Sequence, residues 1–150
     1  MVENENDISV QTNTAINEEN NSIQTKAKEA DLNDNNNEYY VKSRLERDTM
    51  FSQMLESYQK ILENNQISAD QKSIAQTEVK RINDLKNAIM ICENLIKTKG
   101  FEDVVIFVND KSVSVIIKKD KLDAQEIAQI QNIVVREINV NIDDVHISIK

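Results

Sequence analysis

Glycine occurs once in these 150 residues, proline and tryptophan not at all, and cysteine and histidine once each. A chain with almost no Gly or Pro cannot make many tight turns, which argues against a many-stranded sandwich or barrel. Phosphate-cradling loops of both common nucleotide-binding types need at least two glycines and are excluded. One cysteine rules out an internal disulfide, a Cys-based zinc site and a Cys-x-x-Cys redox pair, and one histidine removes the usual zinc triads. Basic residues are also short, 18 Lys+Arg against 26 Asp+Glu, for a net charge of -8 and a pI near 4.7. Nucleic acid and anionic membrane surfaces would repel such a chain. No apolar run reaches the roughly 18–20 residues of a membrane span, and no signal-peptide core is present. Cysteine usage leaves the compartment open, because a disulfide-free domain can reside on either side of a membrane.

What is present divides in two. Ten of residues 1–37 are Asn, and eight acids against Lys26 and Lys28 give this stretch -6 of the total charge. Ile8, Val10, Ile16, Ile23 and Leu32 are too scattered to form a face. A segment that buries little apolar surface cannot offset an ordering entropy of roughly 1–2 kcal/mol per residue. Residues 1–37 therefore read as a disordered, Asn-rich acidic linker, with at most a short helix around Ile23 to Leu32. Residues 38–150 read as the folded domain, with 18 acids nearly balanced by 16 bases.

Within that domain Phe51, Met54, Leu55, Tyr58, Ile61 and Leu62 recur at threes and fours and mark one helical stripe. Upstream the pattern thins to Tyr40, Val41 and Leu45 among charges, as in a helix that projects from the globule or frays. Ser68-Ala-Asp-Gln71 has the spacing of a capping box. The next helix carries Ile74, Ala75, Val79, Ile82, Leu85, Ile89, Cys92 and Ile96 inward. Lys97 and Lys99 suit its negative dipole end, and Gly100 marks its stop. Asp103 to Asp110 and Ser112 to Lys118 read as strands joined by a tight turn around Asn109-Asp-Lys111, since Asn and Asp tolerate positive φ. Asp123-Ala-Gln-Glu126 opens a third helix with Ile127, Ala128, Ile130, Val134 and Ile138 as its apolar face. In the last segment Val145, Ile147 and Ile149 alternate with His146, Ser148 and Lys150.

The order α-α-β-β-α-β makes an α+β domain of two layers, a three-stranded sheet with helices on one face. The second strand, third helix and third strand should form a right-handed crossover. The expected strand order is 2-1-3, with the third strand antiparallel to the first and the second and third strands as open edges.

Chemistry is sparse. Cys92 sits on the inward stripe without cationic activation nearby, as a small buried hydrophobe does. His146 has no Cys, Ser or carboxylate at a recognised catalytic spacing and reads as a surface or interface residue. The pairs Glu102-Asp103 and Asp143-Asp144 precede strands as solvated turn carboxylates and lack the alternation and glycine of a calcium loop. A nucleic-acid-binding KH module would need a Gly-x-x-Gly clamp and positive charge. No catalytic residue, cofactor or metal is expected. What remains is an interaction module whose open-edged sheet can add a strand or pack against a copy of itself.

From about Leu45 to Lys150 the chain resembles the stage III sporulation protein AH family. The resemblance is carried by Ser68-Ala-Asp-Gln-Lys72, by Ile89-Met-Ile-Cys-Glu-Asn-Leu-Ile-Lys-Thr-Lys-Gly-Phe-Glu-Asp-Val104 and by Asp144-Val-His-Ile-Ser-Ile149. It implies an extracytoplasmic, ring-building fold like those of type III secretion and flagellar basal-body ring proteins. It implies anchoring in the mother-cell membrane by one N-terminal helix, and projection into the space around the forespore. It also implies binding to the ectodomain of stage II sporulation protein Q, in a ring or channel needed for engulfment and forespore development, with homo-oligomeric rings among the assemblies. The anchoring helix is missing from this sequence, so truncation at residue 1 is expected, with the linker as a tether. Partner contact is expected through Val145, His146, Ile147, Ser148 and Ile149, beside the third helix. The alternatives are a cytoplasmic self-assembling scaffold of the same fold and, with little behind it, a metal-dependent hydrolase.

Overall fold

Helix α1 runs over residues 35–63 and is followed by α2 (Ala69–Thr98), β1 (Val104–Asn109), β2 (Ser112–Ile117), α3 (Ala124–Val134) and β3 (Val145–Ile149). The computed structural model describes residues 35–150. The linker expected over residues 1–37, with its short helix around Ile23 to Leu32, lies outside the described residues up to residue 34. Residues 35–37 are already helical, so regular structure begins ahead of the expected boundary at Glu38. Tyr40–Lys150 make up one compact unit.

Local chemistry sets the element ends. The Ser68 hydroxyl accepts the Gln71 amide at 3.2 Å and opens α2. Asp123 opens α3 with a full capping box, accepting the Glu126 amide at 2.7 Å while Glu126 accepts the Asp123 amide at 3.1 Å. Gly100 ends α2 at φ 99°, and its amide donates to the Lys97 carbonyl at 3.0 Å. The hairpin closes on the pair Asn109↔Ser112, with Asp110 taking the left-handed φ of 56° that the turn requires. After α3 the chain widens into a π-helical turn, Val135–Asn139, so Ile138 leaves the α-helical stripe expected of it and is only half buried. A 3-10 turn, Ile142–Asp144, then leads into β3.

The core lies between sheet and helices. Ile82, Ile89, Cys92 and Ile96 of α2 and Ile130, Ile133 and Val134 of α3 cover Val104, Ile106, Val113, Val115, Ile117 and Val145. Phe51 joins the cluster from α1. Ile74, expected inward, is 64% exposed. Thirty residues of helix extend about 45 Å at 1.5 Å per residue, against about 20 Å for a six-residue strand, so the start of α2 runs past the sheet. There Tyr58, Ile61, Ile67, Ile74 and Ala75 line a shallow groove of about 260 Å³ beside the end of α1.

Two expectations are corrected. The first half of α1 neither projects nor frays: Tyr40, Ser43 and Arg47 are buried, while the apolar Val41 and Leu45 face solvent. The strand order is β1-β2-β3, with β2 antiparallel to β1 and parallel to β3. The third strand thus lies beside the second and not the first, and the sheet's edges are β1 and β3. The far side of β1 is unavailable to a strand because α1 occupies it, as described below.

Two predictions follow from the packing. A Cβ on Gly100 would meet nothing within 4 Å, so Gly100→Ala carries only the conformational penalty of φ 99°. It should lower unfolding free energy by about 1–2 kcal/mol with an unchanged denaturant m-value. Cys92 is fully buried, and burial, with the charges of Glu93 and Glu137 adding to it and Arg136 opposing, pushes its thiol up to about 12. A thiol-alkylating reagent should leave the folded protein unmodified and label Cys92 stoichiometrically once denaturant is added; rapid native labelling would contradict this placement.

Candidate interaction surface

The two edges of the sheet are finished differently. Along a β-strand each residue directs its N–H and C=O to the same side, and successive residues alternate. The Lys118 amide donates to the Asp103 carbonyl at 2.9 Å, so Asp103, Val105 and Phe107 turn their backbone toward β2, and Val104 and Ile106 turn theirs outward. All four of those outward groups are met by side chains. Arg44 Nη1 donates to the Val104 carbonyl at 3.1 Å, and the Val104 amide donates to Asp103 Oδ1 at 2.9 Å. Arg47 Nη1 donates to the Ile106 carbonyl at 2.9 Å, and the Ile106 amide donates to the Glu93 carboxylate. The same cations pair with the same carboxylates, Arg44 with Asp103 at 2.7 Å and Arg47 with Glu93 at 2.9 Å. Two ion pairs thus stand in for a neighbouring strand.

At the opposite edge the Lys150 amide donates to the Ile117 carbonyl at 3.0 Å, which puts the backbone of His146 and Ser148 toward β2. Val145, Ile147 and Ile149 turn theirs outward. The Val145 amide is used by the Ile142 carbonyl in the preceding turn. Ile147 and Ile149 face an edge on which no further strand lies among the described residues.

The five residues expected at the interface are therefore together on this edge strand, with their side chains divided between faces. Val145, Ile147 and Ile149 share the helix-covered face, buried, half-buried and 45% exposed in turn. His146 and Ser148 are exposed on the other face. There His146 forms a cross-strand row with Ser114 and Phe107, and Ser148 one with Ile116 and Val105. That second face is partly apolar, with Val105 fully buried and Phe107 and Ile116 half buried. Among the described residues no three His, Cys, Asp or Glu side chains cluster as metal ligands would.

The model of the SpoIIIAH-like protein family matches residues 1–147. The chain belongs to the SpoIIIAH-like family. No curated protein matches it. Among solved structures it is similar to a chain of one described as "Structure of the SpoIIQ-SpoIIIAH pore forming complex". The likeness has a TM-score of 0.64 at 22% identity and covers 74% of this chain and 94% of the other. The α+β fold expected from the sequence, helices with a three-stranded sheet, is thus shared with a chain of that complex.

The residues that seal β1 were not among those expected to act. Arg44 and Arg47 are three apart on one face of α1, which is the only sequence signal they offer. Glu93 follows Cys92 on an otherwise apolar stripe, where a carboxylate is conspicuous because burying it demands a partner. Both Arg47 and Glu93 are over nine-tenths buried, and Glu93 Oε2 has no partner among the described protein atoms. Burial raises the Glu93 carboxyl above the ordinary carboxylate range despite the charges and hydrogen bonds of Arg47, Arg44 and Ile106. At Asp103 burial also pushes upward, but the Arg44 hydrogen bond, the Val104 amide and the charges of Arg44 and Lys97 outweigh it, and the carboxyl is lowered.

The two carboxyls give stability opposite pH dependences. Asp103 favours the fold above its ordinary value of 3.8, and this contribution is lost as pH falls through the lowered folded value. Glu93 binds its proton more tightly when folded, so its contribution is lost as pH rises from 4.5 through the raised folded value. Urea titrations between pH 3 and 7 should show Asp103→Asn removing part of the acid-side loss and Glu93→Gln removing a loss above pH 4.5. Arg47→Met leaves a buried carboxylate unpaired and should cost about 3–5 kcal/mol. Adding Glu93→Leu should recover only part of this, because the Ile106 amide and carbonyl still lack partners at about 1–3 kcal/mol each; full recovery would mean the pair does not seal the edge.

Proposed function

We propose that this chain is a non-catalytic extracytoplasmic domain of a mother-cell sporulation membrane protein. In this reading it binds the forespore protein SpoIIQ across the intermembrane space, and the two contribute to a ring or channel needed for engulfment and forespore development. The observation that carries the reading is the family match over residues 1–147. The similar fold in a SpoIIQ–SpoIIIAH complex supports it, as does a sheet with one edge closed and one open. Binding through β3 then involves Val145, His146, Ile147, Ser148 and Ile149, and residues 1–37 act as an acidic tether. None of the described helices is long and apolar enough to cross a membrane, so the anchor in this reading is not one of them.

Binding without chemistry fits what the residues offer. The single thiol is buried with its pKa raised, and His146 lies on an exposed strand beside Ser114 and Ser148. Purified chain mixed with the SpoIIQ ectodomain should co-elute as a complex on a sizing column. His146→Glu places a negative charge on the outer face and should weaken that complex about tenfold, equivalent to about 1.4 kcal/mol, without lowering the melting temperature. Unchanged affinity would move the contact away from this face of β3.

A further inference from the structure

We infer that the groove between α1 and α2 is a second binding site, one that takes an extended acidic peptide segment of another protein. The groove has a volume of about 430 Å³, and no residue of β3 lines it. Arg44, Arg47 and Phe51 line it from α1, and Lys86, Met90 and Lys97 from α2. Spacings of three, four and seven along each helix put each set on a single helical face. The two helices run antiparallel past one another. At one end Arg44 and Lys97 share Asp103, at 2.7 and 3.3 Å. Arg47 meets Glu93 in the middle at 2.9 Å, and Lys86 stands at the other end.

The ends of the groove ask for anions and its middle asks for donors. Of the net charge of -8, residues 1–37 carry -6, so the folded domain is close to neutral and its local pattern decides what it attracts. Arg44 and Lys97 have the one carboxylate of Asp103 between them, which leaves a positive charge at that end. Lys86 is half buried and forms no ion pair among the described residues. Between these ends Asp48 accepts from Arg47 Nε at 3.3 Å. Beside it Glu93, over nine-tenths buried, keeps Oε2 without a partner among the described protein atoms. A buried carboxylate oxygen requires a donor, which a peptide N–H supplies. Asn94 offers an exposed amide next to it, and Met90, 55% exposed, an adaptable apolar contact. The dimensions agree with this ligand. Residues 86 to 97 of α2 span about 16 Å at 1.5 Å per residue. Acidic side chains four apart in an extended peptide point the same way about 13 Å apart, and flexible lysine side chains cover the difference.

The probe is the peptide acetyl-Asp-Ala-Ala-Ala-Asp-amide, titrated into the nitrogen-labelled full chain and followed by NMR. SpoIIQ is left out, so the result is independent of the proposed partner. The side-chain amides of Asn87 and Asn94 and the backbone amides of residues 86–97 should shift saturably, with an affinity that falls as salt is added. The same peptide with both Asp replaced by Asn should bind at least tenfold more weakly. So should the original peptide with Lys86→Met, which keeps the apolar stem and removes only the charge, and with Lys86→Glu. Melting temperatures near that of the unmodified chain confirm that both variants are folded. Equal binding by the Asn peptide, or by both folded Lys86 variants, overturns the inference. Inorganic phosphate that saturates the same amides as tightly as the peptide would assign the groove to a free anion and overturn it too. No saturable shift at millimolar peptide leaves the groove without this role. A dimer of the chain alone that Lys86→Glu abolishes would give the groove to a second copy, against the inference.

Discussion

Two arginine–carboxylate pairs hold the first helix of this domain against the free side of β1, and the rest of the architecture follows from that contact. Backbone groups at a sheet edge must be satisfied by a strand, by water or by side chains. Arg44 with Asp103 and Arg47 with Glu93 each supply a donor for a carbonyl and an acceptor for an amide, at the spacing of alternate strand residues. A helix offers this spacing naturally. Positions three apart are about 4.5 Å along its axis and alternate strand residues about 6.6 Å, a mismatch that long guanidinium side chains can span. With β1 closed in this way, the chain returning through α3 has one side of the hairpin left to join, and β3 pairs in parallel with β2.

The arrangement is specific at some cost in stability. A buried ion pair gains less from attraction than it loses in desolvation unless hydrogen bonds complete it. Glu93 shows the balance directly, with its carboxyl raised by burial and one oxygen unpartnered. An apolar face on the first half of α1 would bury more simply, yet it could dock in several registers. Guanidinium groups bonded to particular carbonyls allow only one. The exposed Val41 and Leu45 show that the helix is not rotated to maximise apolar burial, and that the polar contacts decide its orientation.

This explains which parts of the structure could be read from the sequence. Elements whose boundaries rest on local chemistry were legible: Ser68 and Asp123 as helix starts, Gly100 as a stop, Asp110 in the hairpin turn. So was the alternation in β2 and β3, because one face of each packs on helices. The strand order was not, because it depends on which edge a distant helix covers, and that helix does so with charged residues that hydropathy assigns to solvent. Ile74 was misplaced for a related reason, since periodicity gives the face of a helix without saying how far its partner sheet extends. At the candidate interface the sequence located the strand and its alternation. It also placed that strand at an open edge, but it did not show that the opposite edge is β1, closed by side chains of α1 and α2.

The closed and open edges together impose a direction. A domain with two free edges can polymerise by strand pairing, and one with none can bind only through its faces. With β1 sealed by side chains of its own chain, growth of the sheet is restricted to the β3 side and stops after one added strand unless the visitor brings a further edge. In the proposed reading, where β3 takes the partner, a ring that includes this domain would be continued through other surfaces, such as the hairpin of α1 and α2 with the groove at Tyr58, Ile61 and Ile74. Partner capture and ring closure would then use separate parts of the fold, so a variant that breaks one need not break the other.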